Sequence, residues 1–240
     1  MGGINLKFEE GEILLFDKPL YWTSFDLVNK VKVMLKYNCG LKKIKVGHAG
    51  TLDPLATGLM IICTGKATKR IEEFKNLDKE YIATIKLGET TPSFDLESAV
   101  DKQYQVDHIT EKLVTETLSS FTGEQMQEPP LFSAKFVEGK RAYELARKKI
   151  EKTLEKVRIS IHELELLSFA GKEIKVRILC SKGTYIRAFA RDLGFALKSG
   201  AHLTSLNRTS IGQYRVEKAL TPSEFQFMLE RMKQNSSLNV

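Results

Sequence analysis

Asp53, His48, Thr51 and Thr57 fall within twelve residues, Gly47 to Gly58, that also contain three glycines and Pro54. Glycine reaches backbone angles closed to other residues, and proline removes an amide donor, so a plain helix or strand is not expected here. Asp53 precedes Pro54, which pushes its backbone toward an extended conformation. The stretch reads as a shaped loop presenting one carboxylate, one imidazole and two hydroxyls, followed by the apolar run Leu59 to Cys63. A positioned carboxylate can act as nucleophile or as general acid–base group. Asp-Pro is also a common turn pair.

The surrounding charge bears on that choice. No acidic residue lies between Asp26 and Asp53, while Lys30, Lys32, Lys36, Lys42, Lys43 and Lys45 do. If the basic residues face a polyanion, a lone carboxylate there opposes binding, so its presence calls for a reason. Tyr81 heads an alternating strand, where its ring could line a pocket or simply pack. Arg187 follows Cys180-Ser-Lys-Gly-Thr-Tyr-Ile and falls in the first turn of a helix. A cation there is unfavourable with respect to the helix dipole, so a carboxylate or phosphate is expected beside it. Asp53 is one candidate, through a bidentate pair. His48 beside Gly47 reads either as a ligand-facing imidazole or as one satisfied by local hydrogen bonds.

The elements that must position these groups follow from periodicity. A strand is expected over Glu12 to Asp17, then a helix capped by Ser24 and running to about Lys36, with Leu27, Val28, Val31 and Leu35 on one face. Further strands are expected at Leu59 to Thr64, Tyr81 to Leu87, Val157 to Leu167, Ile174 to Cys180, Leu203 to Arg208 and Gln213 to Val216. Helices are expected at Ala67 to Phe74, Ile109 to Phe121, Ala142 to Lys149, Thr184 (as cap) to about Leu197, and Pro222 to about Lys233. Thr90 to Asp107 reads as irregular, Gln127 to Pro130 as a turn, and Gln234 to Val240 as disordered. Strands and helices alternate without a steady βαβ rhythm, which predicts an α+β fold: a mixed, mostly antiparallel sheet with flanking helices.

The 240 residues suffice for one large or two small domains, and with no linker evident a single domain over 1–240 is expected. Net charge is +7, which favours a polyanionic partner. A second basic region, Lys135 to Arg158, holds nine basic residues against four acidic ones; it reads as a phosphate-binding surface or as a solvated helix face. Cys39, Cys63 and Cys180 suggest reduced thiols in a cytoplasm. No signal core, membrane span, metal-ligand spacing or nucleotide-binding fingerprint is present in the sequence.

Taken together, the motifs resemble the TruB-type tRNA pseudouridine-55 synthases. The resemblance runs from Asp17-Lys18-Pro19 with Thr23-Ser24, through Gly47 to Gly58, Lys79-Glu80-Tyr81, Leu87 to Thr91 with Asp95, and Pro129-Pro130 with Ser133-Ala134. It continues through Gly139 to Arg147 and Ser181 to Arg187 to Leu203–Gly212. It implies the pseudouridine synthase fold and an isomerase, without metal or other cofactor, that flips the T-loop uridine out of its stack and converts it to pseudouridine. Asp53 is then the catalytic aspartate, attacking at C6 or C1′; Tyr81 packs on the base and assists proton removal, and Arg187 pairs with Asp53. Leu206 lines the base pocket and His48 fills the space left by flipped nucleotides. Tyr185, Lys18, Lys140 and Arg141 are implied RNA contacts, the last two in an RNA-binding insertion near 125–156 expected to be mobile before RNA binds. The partner is tRNA through its T-stem-loop, with assistance to tRNA folding also implied; a cytoplasmic monomer is expected. Departures are Tyr21 in place of the usual glycine, Phe132 in place of tyrosine, Asn207 in place of arginine, the Thr91 to Asp95 segment, and the lack of a C-terminal PUA domain.

Overall fold

A computed structural model describes residues 6–131, 136–137, 140–141 and 154–237. Among the described residues its main sheet has nine strands, and five of its strand pairs are antiparallel. With five helices among the described residues this is the expected α+β class. The chain divides into two compact units, Met1–Lys79 with Asn207–Val240, and Glu80–Leu206.

In the first unit β1 (Ile13–Lys18) runs antiparallel to β3 (Ala56–Thr64), in register from Ile13 opposite Cys63 to Lys18 opposite Gly58. β2 (Val46–Ala49) also pairs with β3. β3 is buried along almost its whole length, as its continuous apolar run requires of a strand covered on both faces. Helix α1 (Ser24–Cys39) buries the expected Leu27, Val28, Val31 and Leu35, and also Met34. It ends at Gly40, which adopts the left-handed conformation and donates its N–H to Leu35 O.

A 3-10 turn (Gly65–Arg70) and α2 (Ile71–Lys75) replace the continuous helix expected from Ala67 to Phe74. The last residues of β12 (Ala201–Ile211) turn at Gly212 into β13 (Tyr214–Arg215). The final, C-terminal helix is Pro222–Ser237. Its Phe225 packs edge-on against Phe16 at 5.1 Å between centroids.

In the second unit β4 (Lys79–Leu87) alternates buried and half-buried residues as predicted. The strand order is β4, β11 (Glu173–Cys180), β10 (Val157–Ala170), β7 (Gly123–Gln127). β10 and β11 form a hairpin whose register shifts twice, after Ile161 and after Leu166. Helices α3 (Glu111–Ser119) and α4 (Ile186–Ala196) belong to this unit. So do two short ribbons, β5 with β6 (Glu89–Thr90 and Lys102–Gln103) and β8 with β9 (Phe136–Val137 and Lys140–Arg141). The C-terminal helix is α5.

Several expectations are corrected. The N-cap of α1 is Thr23, whose hydroxyl accepts from Asp26 N while Asp26 reaches back to Thr23 N, a reciprocal capping box. Ser24 is already helical. Thr184 does not cap α4; its hydroxyl donates to Ser181 O at 2.9 Å, and Tyr185 stands at the cap without a side-chain bond. Gly47–Ala49 and Ala56–Gly58 lie in strands, so only 50–55 is loop. Thr90 to Asp107 contains β6, and β7 precedes the Gln127 to Pro130 turn. Residues 234–237, read as disordered, continue α5. The helix expected at Ala142 to Lys149, Phe132, Ser133 and most of the 125–156 insertion lie outside the described residues.

Candidate functional site

Asp53 sits half-buried in the loop between β2 and β3, and its neighbours on both sides are fixed to other elements of the first unit. Ser24 Oγ accepts from Leu52 N at 2.8 Å and donates to Leu52 O at 2.9 Å. Tyr21 N donates to Pro54 O at 2.8 Å, and Ala56 N to Asp53 O at 3.1 Å, closing the Asp-Pro turn. Arg208, almost fully buried, donates from Nη2 to Gly50 O at 3.0 Å and from Nε to Leu59 O at 2.8 Å, joining the start of the loop to β3. Gly58 N donates to Asp17 Oδ1 at 3.1 Å. A carboxylate whose flanking peptides are held this way is pre-oriented, the condition under which a nucleophile contributes most.

Gly58 shows why glycine recurs in this segment. Its φ is +103°, and a Cβ there would run into the Arg208 backbone. The glycine lets two strands approach where a side chain would separate them.

Lys18 ends β1 with no exposed surface. Its ammonium donates to Pro19 O at 2.9 Å and Trp22 O at 2.6 Å, so it ties the 18–22 turn together. Burial lowers its pKa to about 8; the Asp53 carboxylate pulls it back up, Arg208 pushes it down, and Asp17 and Asp26 raise it. A buried cation thus shares its field with Asp53. Burial raises the pKa of Asp17, against the Gly58 N–H and Lys18. His48 is half-buried and pairs through Nε2 with Thr51 Oγ1 at 3.1 Å. Desolvation, with Arg208 and Lys75, lowers its pKa, so the ring is neutral at physiological pH. Beside Lys18 lies a cavity of about 630 Å³ lined by Asp17, Trp22, Thr57, Asn207 and Thr221, with Asp53 not on its wall.

The second unit holds the other expected groups. Tyr81 is buried on β4. Arg187 occupies the first turn of α4, nearly fully buried, and a compensating carboxylate is there: its Nε lies 3.6 Å from Asp95 Oδ2, and Nη1 donates to Ser93 O at 3.3 Å. Asp95 is itself braced by Glu97 N on Oδ1 at 2.9 Å, and Thr91 Oγ1 donates to its carbonyl at 2.7 Å. Tyr185 exchanges backbone bonds with the Gln127 amide, at 2.8 and 3.1 Å. Leu206 is buried near the end of the unit. The side chains of Lys140 and Arg141 lie outside the described residues.

Residue reading missed the tasks of Ser24 and Arg208. The sequence reads Ser24 as a helix cap within the Thr23-Ser24 motif and Arg208 as part of the Leu203–Gly212 motif, and neither signal points to the hydrogen bonds that brace the Asp53 loop. Among the described residues no group of three or more His, Cys, Asp or Glu is placed to hold a metal ion.

With this geometry, the comparison with known proteins is decisive. A model of the TruB family of pseudouridylate synthases, N-terminal domain, matches residues 36–186. The chain is 57% identical to the tRNA pseudouridine synthase B of Phocaeicola vulgatus over 234 residues, 98% of this chain and 100% of that protein. The chain belongs to the TruB family.

It is also 60% identical to the Parabacteroides distasonis protein of the same name, covering 94% of this chain and 96% of that one. Among solved structures, a chain of a Cbf5–Nop10–Gar1 complex superposes with a TM-score of 0.68 at 26% identity over 94% of this chain. A chain of an H/ACA ribonucleoprotein bound to a substrate RNA containing 2'-deoxyuridine does so with a TM-score of 0.69 at 23% identity, which shows the fold alone. This TruB-family chain spans just over half of those two chains, 57% and 56%.

Proposed function

We propose that this protein converts the T-loop uridine of tRNA to pseudouridine, acting as a monomer in the cytoplasm, without metal or other cofactor, and assisting tRNA folding as it does so. The observation that supports it most directly is the Asp53 loop, in which the peptides before and after the carboxylate are each held by a partner from α1 or the turn preceding it. A fixed carboxylate suits glycosyl chemistry because it is both nucleophile and leaving group at neutral pH. Asp53 attacks the flipped nucleoside at C6 or C1′, the bond from the sugar to N1 breaks, the base rotates, and C5 takes its place. Loss of the C5 proton restores the ring, and Asp53 is released unchanged. Tyr81 packs on the base and assists that proton loss; Arg187, set by Asp95, orients Asp53; Leu206 lines the pocket and His48 takes the space left by the flipped nucleotide. Lys18 adds positive charge next to the nucleophile, and Tyr185, Lys140 and Arg141 contact RNA. Sequence identity above one half over nearly whole chains named for this activity supports the reading.

The test is incubation of the purified protein with an unmodified T-arm hairpin, with no metal or nucleotide added. Pseudouridine is then mapped by carbodiimide-blocked primer extension. A single stop at the T-loop uridine, lost in Asp53→Asn while RNA binding persists, is expected. Modification that survives Asp53→Asn would refute the assignment of the nucleophile, and tight binding without modification would leave only the folding role.

A further inference from the structure

Tyr21 is the most exposed aromatic side chain next to the Asp53 loop, and its backbone is strained. It is 74% exposed, yet its φ is +67°, in the left-handed region that glycine occupies freely and a bulky residue does not. An exposed tyrosine contributes little to a core, so packing does not account for the strain. The turn that holds it is rigid. The buried Lys18 ammonium ties Pro19 O and Trp22 O, the Tyr21 N–H is fixed on Pro54 O, and the Thr23–Asp26 capping box sets the start of α1. Its backbone therefore holds a fixed position one hydrogen bond from the residue after Asp53.

The surface continues along α1. Phe25, in its first turn, is 64% exposed, and Val33 and Tyr37 follow at helical spacing, also exposed. Between Asp26 and Asp53 the sequence has no acidic residue and contains six lysines. Exposed aromatics among cations suit an RNA strand, whose bases stack while its phosphates pair with lysine. Lys30, Lys32 and Lys36 stand on α1 itself, and the Lys36 ammonium lies over the Tyr37 ring at 5.1 Å, so a hydrophobic protein face would have to cover positive charge here.

We infer that Tyr21, with Phe25 four residues further on, forms a stacking platform for an unpaired nucleobase of the substrate RNA adjacent to the flipped uridine. This rests on the RNA-modifying function proposed above and adds a base-binding site to it. Backbone strain at Tyr21 persists because the ring must stand where a base arrives.

The test compares wild type with Tyr21→Gly, Tyr21→Trp and Phe25→Ala, using fluorescence anisotropy of a labelled, unmodified T-arm hairpin and single-turnover pseudouridine formation. Tyr21→Gly suits the left-handed backbone and is expected to fold with little change in melting temperature. It should raise Kd by about 5-fold or more, the usual scale for losing one base–aromatic stack. The single-turnover rate at saturating RNA should fall less than the affinity does, because glycine keeps the N–H that holds Pro54 O. Tyr21→Trp should restore wild-type affinity, and Phe25→Ala should weaken binding less. Because no phosphate contact is lost, the slope of log Kd against log salt should not change. Unchanged affinity in Tyr21→Gly would overturn the platform, as would failure of Tyr21→Trp to rescue it. Loss of self-association in Tyr21→Gly with RNA binding intact would assign the patch to a second copy of the chain instead. If the wild type neither binds nor modifies the hairpin, the proposed function itself fails; if it modifies the hairpin and Tyr21→Gly binds as well, only the platform does.

Discussion

Ser24 shows how much of the site rests on one small side chain. Its hydroxyl is buried and satisfies both the N–H and the C=O of Leu52. Ser24→Ala removes both partners and strands two backbone groups, at a cost of about 1–3 kcal/mol for unmet buried polar groups. Urea denaturation should show that loss, and pseudouridine formation should fall further than stability does, because the peptide preceding Asp53 is released.

Lys18 adds a pH dependence. Burial holds its folded pKa down at about 8, against an ordinary lysine value of 10.5. Between those values the unfolded chain holds a proton that the native protein has lost, so this residue makes stability rise with pH through that window and leaves it flat below pH 8. The gain between pH 7 and 9.5 is on the order of 2 kcal/mol by linkage. Lys18→Met should abolish this contribution, so the difference in unfolding free energy between wild type and variant must change sign-consistently in wild type's favour as pH rises. A constant difference across pH 7 to 9.5 would show that the ammonium is not desolvated as the fold implies.

At the scale of elements, the strand and helix positions were legible where apolar spacing decides them. β1, β4, β11 and the buried face of α1 are where the sequence predicts them. Ends were less legible. Thr23 and Ser24 are both good caps, and only the reciprocal Asp26 contact selects Thr23. Thr184 looked like a cap yet bonds backward to Ser181. β7, Gly-Glu-Gln-Met-Gln, is polar and becomes a strand through its ladder with β10, a tertiary cause no local propensity reports. The Asp53 loop was legible as special, but its strand edges were hidden by glycines that serve close strand contact instead of turning the chain.

Two substitutions test these elements. Thr23→Ala should cost about 0.5–2 kcal/mol, the usual value of an N-cap, by thermal melting. Gly58→Ala should cost at least about 2 kcal/mol from the positive φ alone, with the crowding against the Arg208 backbone added, and chemical denaturation should rank it the worse of the two.

At the scale of the whole molecule, charge pointed to a polyanion, but nothing local in the sequence announced that the first unit is assembled from both ends of the chain. Asp17 N donates to Leu220 O and Leu220 N to Leu15 O, so β1 is bonded to the segment that leads into α5. Phe225, with no exposed surface, packs against Phe16 and Phe8. Thr221 and Glu224 form the capping contacts that start α5 at that point. The strand that ends in Lys18 therefore acquires its cover only when the last helix docks, and the turn from Lys18 to Tyr21 that braces Pro54 depends on the same packing. Phe225→Ala, more than 170 residues from Asp53 in sequence, should cost about 3–5 kcal/mol as a large buried aromatic replaced by a cavity. Hydrogen exchange should show lost protection in β1 and α5 before any change in β10 and β11. Pseudouridine formation should fall in proportion to the folded fraction of the first unit. Equal loss of protection in all four elements would mean instead that the two units unfold as one cooperative body.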